Sequence, residues 1–98
     1  MHFAIEETRD GERIVLAVRG EIDMATAHRL RAALGRADGA REVRVDLREV
    51  EFMDSTGLSA LVAAHQALER LTIVCPSGPG RRALEVSGLL GVLDVSDA

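Results

Sequence analysis

The sequence predicts a single α/β domain in which a mixed β-sheet of four or five strands packs against three or more α-helices. β-like runs alternate with segments of helical periodicity in the order β-β-α-β-α-β-α, and a short final strand is expected near the C-terminus. The 98 residues suffice for one hydrophobic core, so residues 1–98 are predicted to form one domain. Hydrophobic residues make up 47% of the chain but aromatic residues only 2%, and the core is therefore expected to be aliphatic.

The N-terminal segment is predicted to form a β-hairpin. Residues 3–7 are a first short β-like run, and Asp10-Gly11 is a turn dipeptide. Residues 13–19 alternate between apolar and polar side chains, with one face made of Ile14, Leu16 and Val18. We expect the second strand to end at residues 20–23, where glycine and acidic residues interrupt the alternation.

The next two elements are predicted to be a helix and a strand. After residue 23 the apolar spacing changes to the helical period, and the predicted buried face consists of Ala27, Leu30, Ala33, Leu34 and Ala37. The Asp23 carboxylate is the expected N-cap, and Asp38-Gly39 is expected to end the helix. Residues 43–47 are the third predicted strand.

The second half of the chain continues the alternation. Residues 55–70 are predicted to form the second helix, whose apolar stripe is Leu58, Leu61, Val62 and Leu68. At 100° per residue His65 falls within this stripe, and its ring is expected to pack in the core. Residues 71–75 are the next strand, with Cys75 as a small buried side chain. A turn over residues 76–80 should lead into a third helix at 81–87 that ends at Gly88, and an edge strand is expected near 92–95.

The composition argues against several classes of function. The net charge is −4 and the pI about 5.3, with basic residues scattered among acidic ones, which argues against nucleic-acid binding. A single cysteine cannot form an internal disulfide or a cysteine-rich metal site. No apolar run approaches the ~20 residues that span a bilayer, and no signal peptide is visible, so we expect a cytoplasmic protein without a membrane partner.

The hydroxyls of Ser55 and Thr56 stand where a predicted strand gives way to the second helix. A hydroxyl there can cap the helix, act as a nucleophile or accept a phosphate. A nucleophile needs a base within reach, but His65 lies roughly 15 Å farther along the helix at 1.5 Å per residue. The G-x-S-x-G pattern of serine hydrolases is also absent. A hydrolase is therefore disfavoured, whereas capping by Asp54 or Ser55 and phosphate acceptance both remain open.

Neighbouring features refine this junction without deciding it. Gly57 in the first helical turn lowers helix propensity and leaves the helix start open to close approach. Phe52 is expected to lie in the core.

The nearby carboxylates of residues 46, 49, 51 and 54 lack the clustered ligands of a metal site. Residues 78–80, followed by two arginines, lack the Lys-Ser/Thr ending of a phosphate-binding loop, and a simple turn is favoured. Neither a metal nor a cofactor is expected.

These residues carry a resemblance to a known family. The pattern Leu47-x-x-Val50-x-Phe52-Met53-Asp54-Ser55-Thr56-Gly57-Leu58 resembles the STAS domain family, in particular the small bacterial anti-sigma factor antagonists. Gly20-Glu21-Ile22-Asp23 followed by Thr26, and the later Ser87-Gly88-Leu89, extend the resemblance over nearly the entire chain. The resemblance implies a STAS-like fold.

The resemblance also implies a regulatory switch rather than an enzyme. It implies that Ser55, or as a second choice Thr56, is phosphorylated by an anti-sigma factor that has serine/threonine kinase activity. The unphosphorylated protein would bind the anti-sigma factor and free a sigma factor, and a protein phosphatase would reset the phosphorylated form. The implied partner-binding residues are Asp23, Thr26, Met53, Asp54, Ser55, Thr56, Gly57 and Leu58.

Two features depart from the family pattern. Ser59 stands where many members have glycine, which narrows the open face of the helix. Relatives usually continue into a further C-terminal helix, whereas this sequence ends at Ala98. We therefore expect apolar exposure at Leu89, Leu90 and Leu93, and a monomer or weak dimer.

Two other functions stay open. One is an unphosphorylated STAS scaffold subunit of a transport or signalling complex, which would co-purify with membrane transporter subunits. The other is a small-ligand sensor, against which the missing phosphate-binding loop argues.

Overall fold

The computed structural model describes residues 2–75 and 77–97, in which a five-stranded sheet carries three α-helices. The elements in chain order are β1 Ala4–Asp10, β2 Arg13–Ile22, α1 Ala27–Arg36, β3 Glu42–Met53, α2 Ser55–Ala67, β4 Leu71–Val74, α3 Gly78–Ser87, a 3₁₀ turn Leu89–Gly91, and β5 Val95–Ser96. The predicted order of strands and helices is confirmed. Pro76, in the predicted turn at 76–80, lies outside the described residues.

The strands lie side by side in chain order from β1 to β5. β1 and β2 pair antiparallel across a tight turn in which Gly11 has φ +63°, a conformation that glycine adopts without strain. The other neighbouring strands pair parallel, as strands joined by helices do. The predicted hairpin is confirmed, and its first strand runs to Asp10 rather than to residue 7.

β2 runs on to Ile22, within the range 20–23 where its end was predicted, but Gly20 and Glu21 continue the strand instead of interrupting it. Its register with β3 shifts between Ala17 and Arg19 and again after Gly20. The two strands remain paired on both sides of these irregularities. Gly20 has φ +95°, and a β-carbon there would lie 2.8 Å from the Cα of Phe3. This glycine therefore marks an irregularity where the N-terminal segment approaches closely, not the end of a strand.

β3 is longer than the predicted 43–47 because its second half continues to pair with the extended β2. Val50 and Met53 are buried, and Met53 lies opposite Ile22. Phe52 is 47% exposed. The expectation that Phe52 lies in the core is therefore wrong, because its side chain is exposed to solvent near the C-terminal end of β3.

One face of the sheet and the inner faces of the helices enclose the core. Alternate residues of β2 and β3 contribute Ile14, Leu16, Val18, Val43, Val45 and Leu47. Leu30 of α1, Leu61 of α2 and Leu84 of α3 belong to the same buried cluster. All three helices therefore lie on one face of the sheet. The opposite face carries charged pairs such as Arg48 with Asp46, at 2.7 Å.

The buried face predicted for α1 is confirmed, since Ala27, Leu30, Ala33, Leu34 and Ala37 are all buried. The helix begins one residue after Thr26, which is its N-cap, so the assignment of Asp23 as N-cap is wrong. Arg36 is the last helical residue, and a turn follows at the predicted Asp38-Gly39.

The buried face of α2 differs from the predicted stripe. It consists of Gly57, Ala60, Leu61 and Ala64, while Leu58 and Leu68 are only partly buried. These small residues allow α1 to pack closely against α2. His65 is exposed, so its expected place in the core is wrong: one residue beyond Ala64, it is rotated about 100° from the buried face. The helix ends at Ala67, before the predicted residue 70.

α3 begins at Gly78, earlier than predicted, so much of the expected turn is helical. Pro79 lies in the first turn, where the missing N–H is not needed. A β-carbon at Gly80 would lie 3.3 Å from the Sγ of Cys75, which shows how closely α3 approaches the sheet. Cys75 is buried, as predicted, and Gly88 (φ +79°) ends α3, as predicted.

The C-terminal segment closes the far edge of the core. Leu93 is buried and Leu89 and Leu90 are partly buried, so the expected apolar exposure at these residues is wrong; Val92 is the exposed side chain there. β5 pairs parallel with β4, slightly later in the chain than predicted. Among the residues described, no helix is both long and apolar enough to cross a membrane.

Candidate functional site

The junction between β3 and α2 is held by Asp54. Its amide donates to the carbonyl of Ile22 at 3.1 Å, which ties the start of α2 to the end of β2. Its carboxylate accepts from the amide of Thr56 at 2.9 Å and from the Thr56 hydroxyl. Asp54 is therefore the N-cap of α2, one of the two capping residues that the sequence left open.

Capping also sets the charge of this carboxyl group. The hydrogen bond from the Thr56 side chain has the largest effect and lowers the pKa of Asp54 below its usual value. Burial opposes this shift, and backbone hydrogen bonds lower the pKa further. Asp54 is therefore a carboxylate at neutral pH. A negative charge at the first turn is also favoured by the helix dipole.

Ser55 and Thr56 differ in what their hydroxyls do. Thr56 is half-buried, and its hydroxyl donates to Asp54. Ser55 is the first residue of α2 and is exposed. Within the described ranges 2–75 and 77–97, no group hydrogen-bonds to the Ser55 hydroxyl. Of the two adjacent hydroxyls, Ser55 is therefore the one open to chemistry.

Gly57 and Met53 lie beneath this surface. A β-carbon at Gly57 would fall 2.6 Å from Cγ2 of Ile22 and 2.8 Å from Cγ of Met53, both too close for any real contact. Met53 itself is 6% exposed. These two members of the predicted partner-binding set are thus buried and support the helix start from below, while Leu58 is half-buried at the edge of the site.

The loop between β2 and α1 carries the predicted residues Asp23 and Thr26. Oδ1 of Asp23 accepts from the amides of Ala25 at 2.9 Å and Thr26 at 3.2 Å. The Thr26 hydroxyl donates to the carbonyl of Glu21 at 2.7 Å and accepts from the Asp23 amide at 3.0 Å. These bonds fix the loop and leave Met24 at its tip, 82% exposed.

The structure brings this loop to the same edge of the sheet as Ser55. β2 and β3 are parallel and end in register at Ile22 and Met53. Asp23 and Asp54 directly follow these two residues, and the bond from Asp54 to Ile22 joins the two turns. The two segments that the resemblance implies as partner-binding therefore lie side by side at this edge.

The sequence missed a groove beside Ser55, between α2 and α3. Its rim includes the exposed Phe52, Arg82 and Val86. Helical spacing signals the exposure of Val86, since it lies two residues, or about 200°, from the buried Leu84. No comparable signal exists for Phe52, because the simple alternation of β3 is lost after residue 47.

The described residues offer no group of three or more His, Cys, Asp or Glu side chains that could hold a metal ion. The arrangement is instead an exposed hydroxyl that lines a mostly apolar groove. Ser55 directly follows Asp54, which is hydrogen-bonded to the end of β2, where the acidic loop begins. Such a surface suits recognition by another protein and modification of the hydroxyl by that protein's active site.

Comparison with known proteins agrees with the fold. The family model described as "Mlab, STAS domain" matches residues 5–94. An anti-sigma-B factor antagonist of Listeria monocytogenes is 34% identical over 104 residues, covering 99% of this chain and 91% of that protein. The crystal structure of an anti-sigma factor antagonist from Mycobacterium paratuberculosis superposes with a TM-score of 0.91 at 29% identity, covering 99% of this chain and 87% of that one.

A third comparison concerns a modified protein. The structure of the Bacillus cell fate determinant SpoIIAA in its phosphorylated form superposes with a TM-score of 0.71 at 25% identity, over 97% of this chain and 91% of that one. The family match and the relatives cover almost the full length described above. This chain belongs to the STAS domain family.

Proposed function

We propose that this protein is an anti-sigma factor antagonist that is switched by phosphorylation of Ser55. In its unphosphorylated form it binds an anti-sigma factor and thereby releases a sigma factor. The anti-sigma factor carries serine/threonine kinase activity and phosphorylates Ser55, which ends the complex. A protein phosphatase restores the binding form.

The observation that carries the proposal is the contrast between the two hydroxyls. Ser55 is exposed and unbonded among the described residues, whereas the Thr56 hydroxyl is held by Asp54. A kinase needs a hydroxyl that can enter its active site, so Ser55 is the better acceptor. Support also comes from the named function of the Listeria relative and from the phosphorylated form of SpoIIAA.

The charge of a phosphate explains how the switch acts. A phosphoserine brings about −1.5 to −2 charges at neutral pH. The helix N-terminus favours that charge locally, but it is disfavoured by the carboxylates of Asp54, of Asp23 in the loop and of Glu21 at the end of β2. The added charge therefore alters the docking surface without requiring the domain to unfold. A loss of ~3 kcal/mol in binding free energy weakens a complex about a hundredfold.

The remaining predicted residues take supporting or contacting roles in this proposal. Asp23 uses Oδ1 to fix its loop, and Oδ2 makes no hydrogen bond to any described residue, so it is available to a partner. Thr26 shapes the loop from within. Leu58 lies at the edge of Ser55, whereas Met53 and Gly57 act from beneath by setting the position of the helix start.

The test is phosphorylation in vitro with site mapping. The protein is incubated with ATP and each purified anti-sigma factor kinase of the same genome, and the products are mapped by mass spectrometry. We expect one phosphate on Ser55, and none in the matched variant Ser55→Ala. The proposal would be contradicted if none of these kinases, each shown to be active on another substrate, modified Ser55. Co-purification with membrane transporter subunits would then select the scaffold function.

A further inference from the structure

A groove of about 390 Å³ opens between the start of α2 and the outer side of α3. Its lining is mostly apolar and includes Phe52, Leu58, Pro79, Ala83 and Val86, with Ser55 on the rim. Phe52 is 47% exposed and Val86 is 79% exposed. Exposed apolar side chains that gather around one concavity are typical of a protein-binding surface.

Few large apolar side chains are exposed in the described part of the chain, and two of the four line the groove with Ser55. Among the described residues they are Met24, Phe52, Val86 and Val92. Phe52 and Val86 line the groove. Met24 lies at the tip of the loop that follows Ile22, the residue whose carbonyl accepts from the Asp54 amide. Only Val92 belongs to another part of the surface, next to the 3₁₀ turn.

Charged groups of both signs lie near Ser55. Arg82 lines the groove, is exposed, and forms no ion pair within the described part of the chain. Its neighbour Arg81, by contrast, donates to Asp97 at 3.2 Å and to the carbonyl of Cys75 at 3.1 Å. Asp54 also lines the groove, but its carboxylate is bonded to the amide and hydroxyl of Thr56. The loop after β2 carries the carboxylate of Asp23. A complementary partner would place an acidic group over the groove and a basic group over the loop.

We infer that this groove is the apolar anchor site for the anti-sigma factor, and that it receives an apolar side chain flanked by a carboxylate that pairs with Arg82. The inference rests on the proposed function and adds to it the place and chemistry of docking. The partner must cover Ser55 to modify it, and Ser55 lies on the rim of the groove. Anchoring in a mostly apolar groove provides affinity, while the flanking charges fix the orientation.

The same location explains why docking and phosphorylation exclude each other. Ser55 and Leu58 also line an adjoining groove of about 420 Å³ that runs along α2 toward Leu89. A phosphate on Ser55 would therefore stand between two mostly apolar concavities. The phosphate is strongly hydrated, and its burial under a partner surface is unfavourable. The apolar side chain of the partner could therefore not enter the groove fully.

The test uses two pairs of matched variants. Val86→Asp places a charge in the groove, and Val92→Asp places the same charge on an exposed valine outside it. Arg82→Gln removes the groove cation, and Arg36→Gln removes an exposed arginine at the end of α1. Affinity for each purified anti-sigma factor of the same genome is measured by isothermal titration calorimetry, after thermal unfolding has shown that the variants fold.

We expect Val86→Asp to weaken binding by about tenfold or more, as for a residue at the centre of an interface, and Val92→Asp to stay within about twofold of the unsubstituted protein. Arg82→Gln should weaken binding and make it less sensitive to salt, whereas Arg36→Gln should change neither property.

Three results would overturn the inference, and they can be told apart. In the first, the unsubstituted protein binds tightly but Val86→Asp and Val92→Asp have equal affinities. This result refutes the anchor site and does not contradict the proposed function. A dimer of the unsubstituted protein that Val86→Asp alone dissolves, measured by light scattering, assigns the groove to a second copy. No binding by the unsubstituted protein to any of the anti-sigma factors refutes both the proposed function and the inference.

Discussion

Gly57 packs so tightly over Ile22 that a β-carbon at position 57 would fall 2.6 Å from Cγ2 of the isoleucine. This contact joins the first turn of α2 to the end of β2. This contact and the hydrogen bond from Asp54 to Ile22 together fix the position of the helix start relative to the sheet. They therefore also fix the position of Ser55, the first residue of the helix. A glycine that local helix propensity disfavours is required here by packing between distant parts of the chain.

Gly57→Ala is expected to destabilise the fold. Helix propensity alone would favour alanine by up to about 1 kcal/mol. The β-carbon, however, overlaps Ile22 and Met53, and overpacking of this kind costs about 1–3 kcal/mol. We therefore predict a net loss in the free energy of unfolding, measured by urea denaturation.

Gly35→Ala is the matched control for that substitution. Gly35 lies within α1, is exposed, and has no atom within 4 Å of its virtual β-carbon. This variant should gain about 0.5–1 kcal/mol from helix propensity alone. If both alanine variants were stabilised equally, the close packing of Gly57 would be refuted.

Asp54→Ala should remove the N-cap of α2 and lower the free energy of unfolding by about 0.5–2 kcal/mol at pH 7. Asp54→Asn is the milder control, because asparagine caps helices nearly as well without a charge. Urea denaturation of the two variants separates the hydrogen-bonding role of the cap from its charge. Equal losses in both variants would mean that the charge alone matters.

The charge of Asp54 predicts a pH dependence. Its pKa is lowered in the folded protein, so folding is favoured above the unfolded-state value of about 3.9 and loses this contribution as the pH falls through the lower folded value. Asp46, whose pKa is lowered chiefly by its hydrogen bond with Arg48, adds to the acid sensitivity of every variant that keeps it. The charge-dependent stability difference between the unsubstituted protein and Asp54→Asn should therefore shrink below about pH 4. A difference independent of pH from 7 to 3 would contradict this role.

Ser55→Ala is expected to bind the anti-sigma factor persistently, because it cannot be phosphorylated. Ser55→Asp should bind about tenfold more weakly, since it adds one charge where the phosphate adds nearly two. Thr8→Asp, which adds the same charge at an exposed position on β1, serves as the control and should bind normally. Calorimetric titrations in which Ser55→Ala and Ser55→Asp bind alike would exclude a charge-based switch.

The parts of the fold that the sequence predicted correctly are those set by local chemistry. The turn at Gly11, the buried face of α1 and the stop at Gly88 each depend on residues close together in the chain. The second half of β3 could not be predicted, because Val50 and Met53 are strand residues only through pairing with a β2 whose register shifts. The prediction for His65 is wrong because the predicted stripe follows the leucines, whereas the buried face of α2 combines Leu61 with three small residues, Gly57, Ala60 and Ala64.

The site divides in the same way. The Asp54 cap and the exposure of Ser55 follow from a short pattern whose geometry is local. The groove depends instead on α3 packing against β3, which Gly80 permits by lying close to Leu47 and Cys75. The partnership of Phe52 with Val86 on one surface is therefore a property of the tertiary structure alone.

The most direct test of the account is a comparison of two forms of the same protein that differ only in the phosphate on Ser55. The phosphorylated form can be made by incorporating phosphoserine during synthesis, which requires no knowledge of the kinase. Both forms are titrated by calorimetry against the anti-sigma factor that binds the unmodified protein. We predict that the phosphate weakens binding by about a hundredfold while the circular dichroism spectrum stays unchanged. Equal affinities of the two forms would contradict the account.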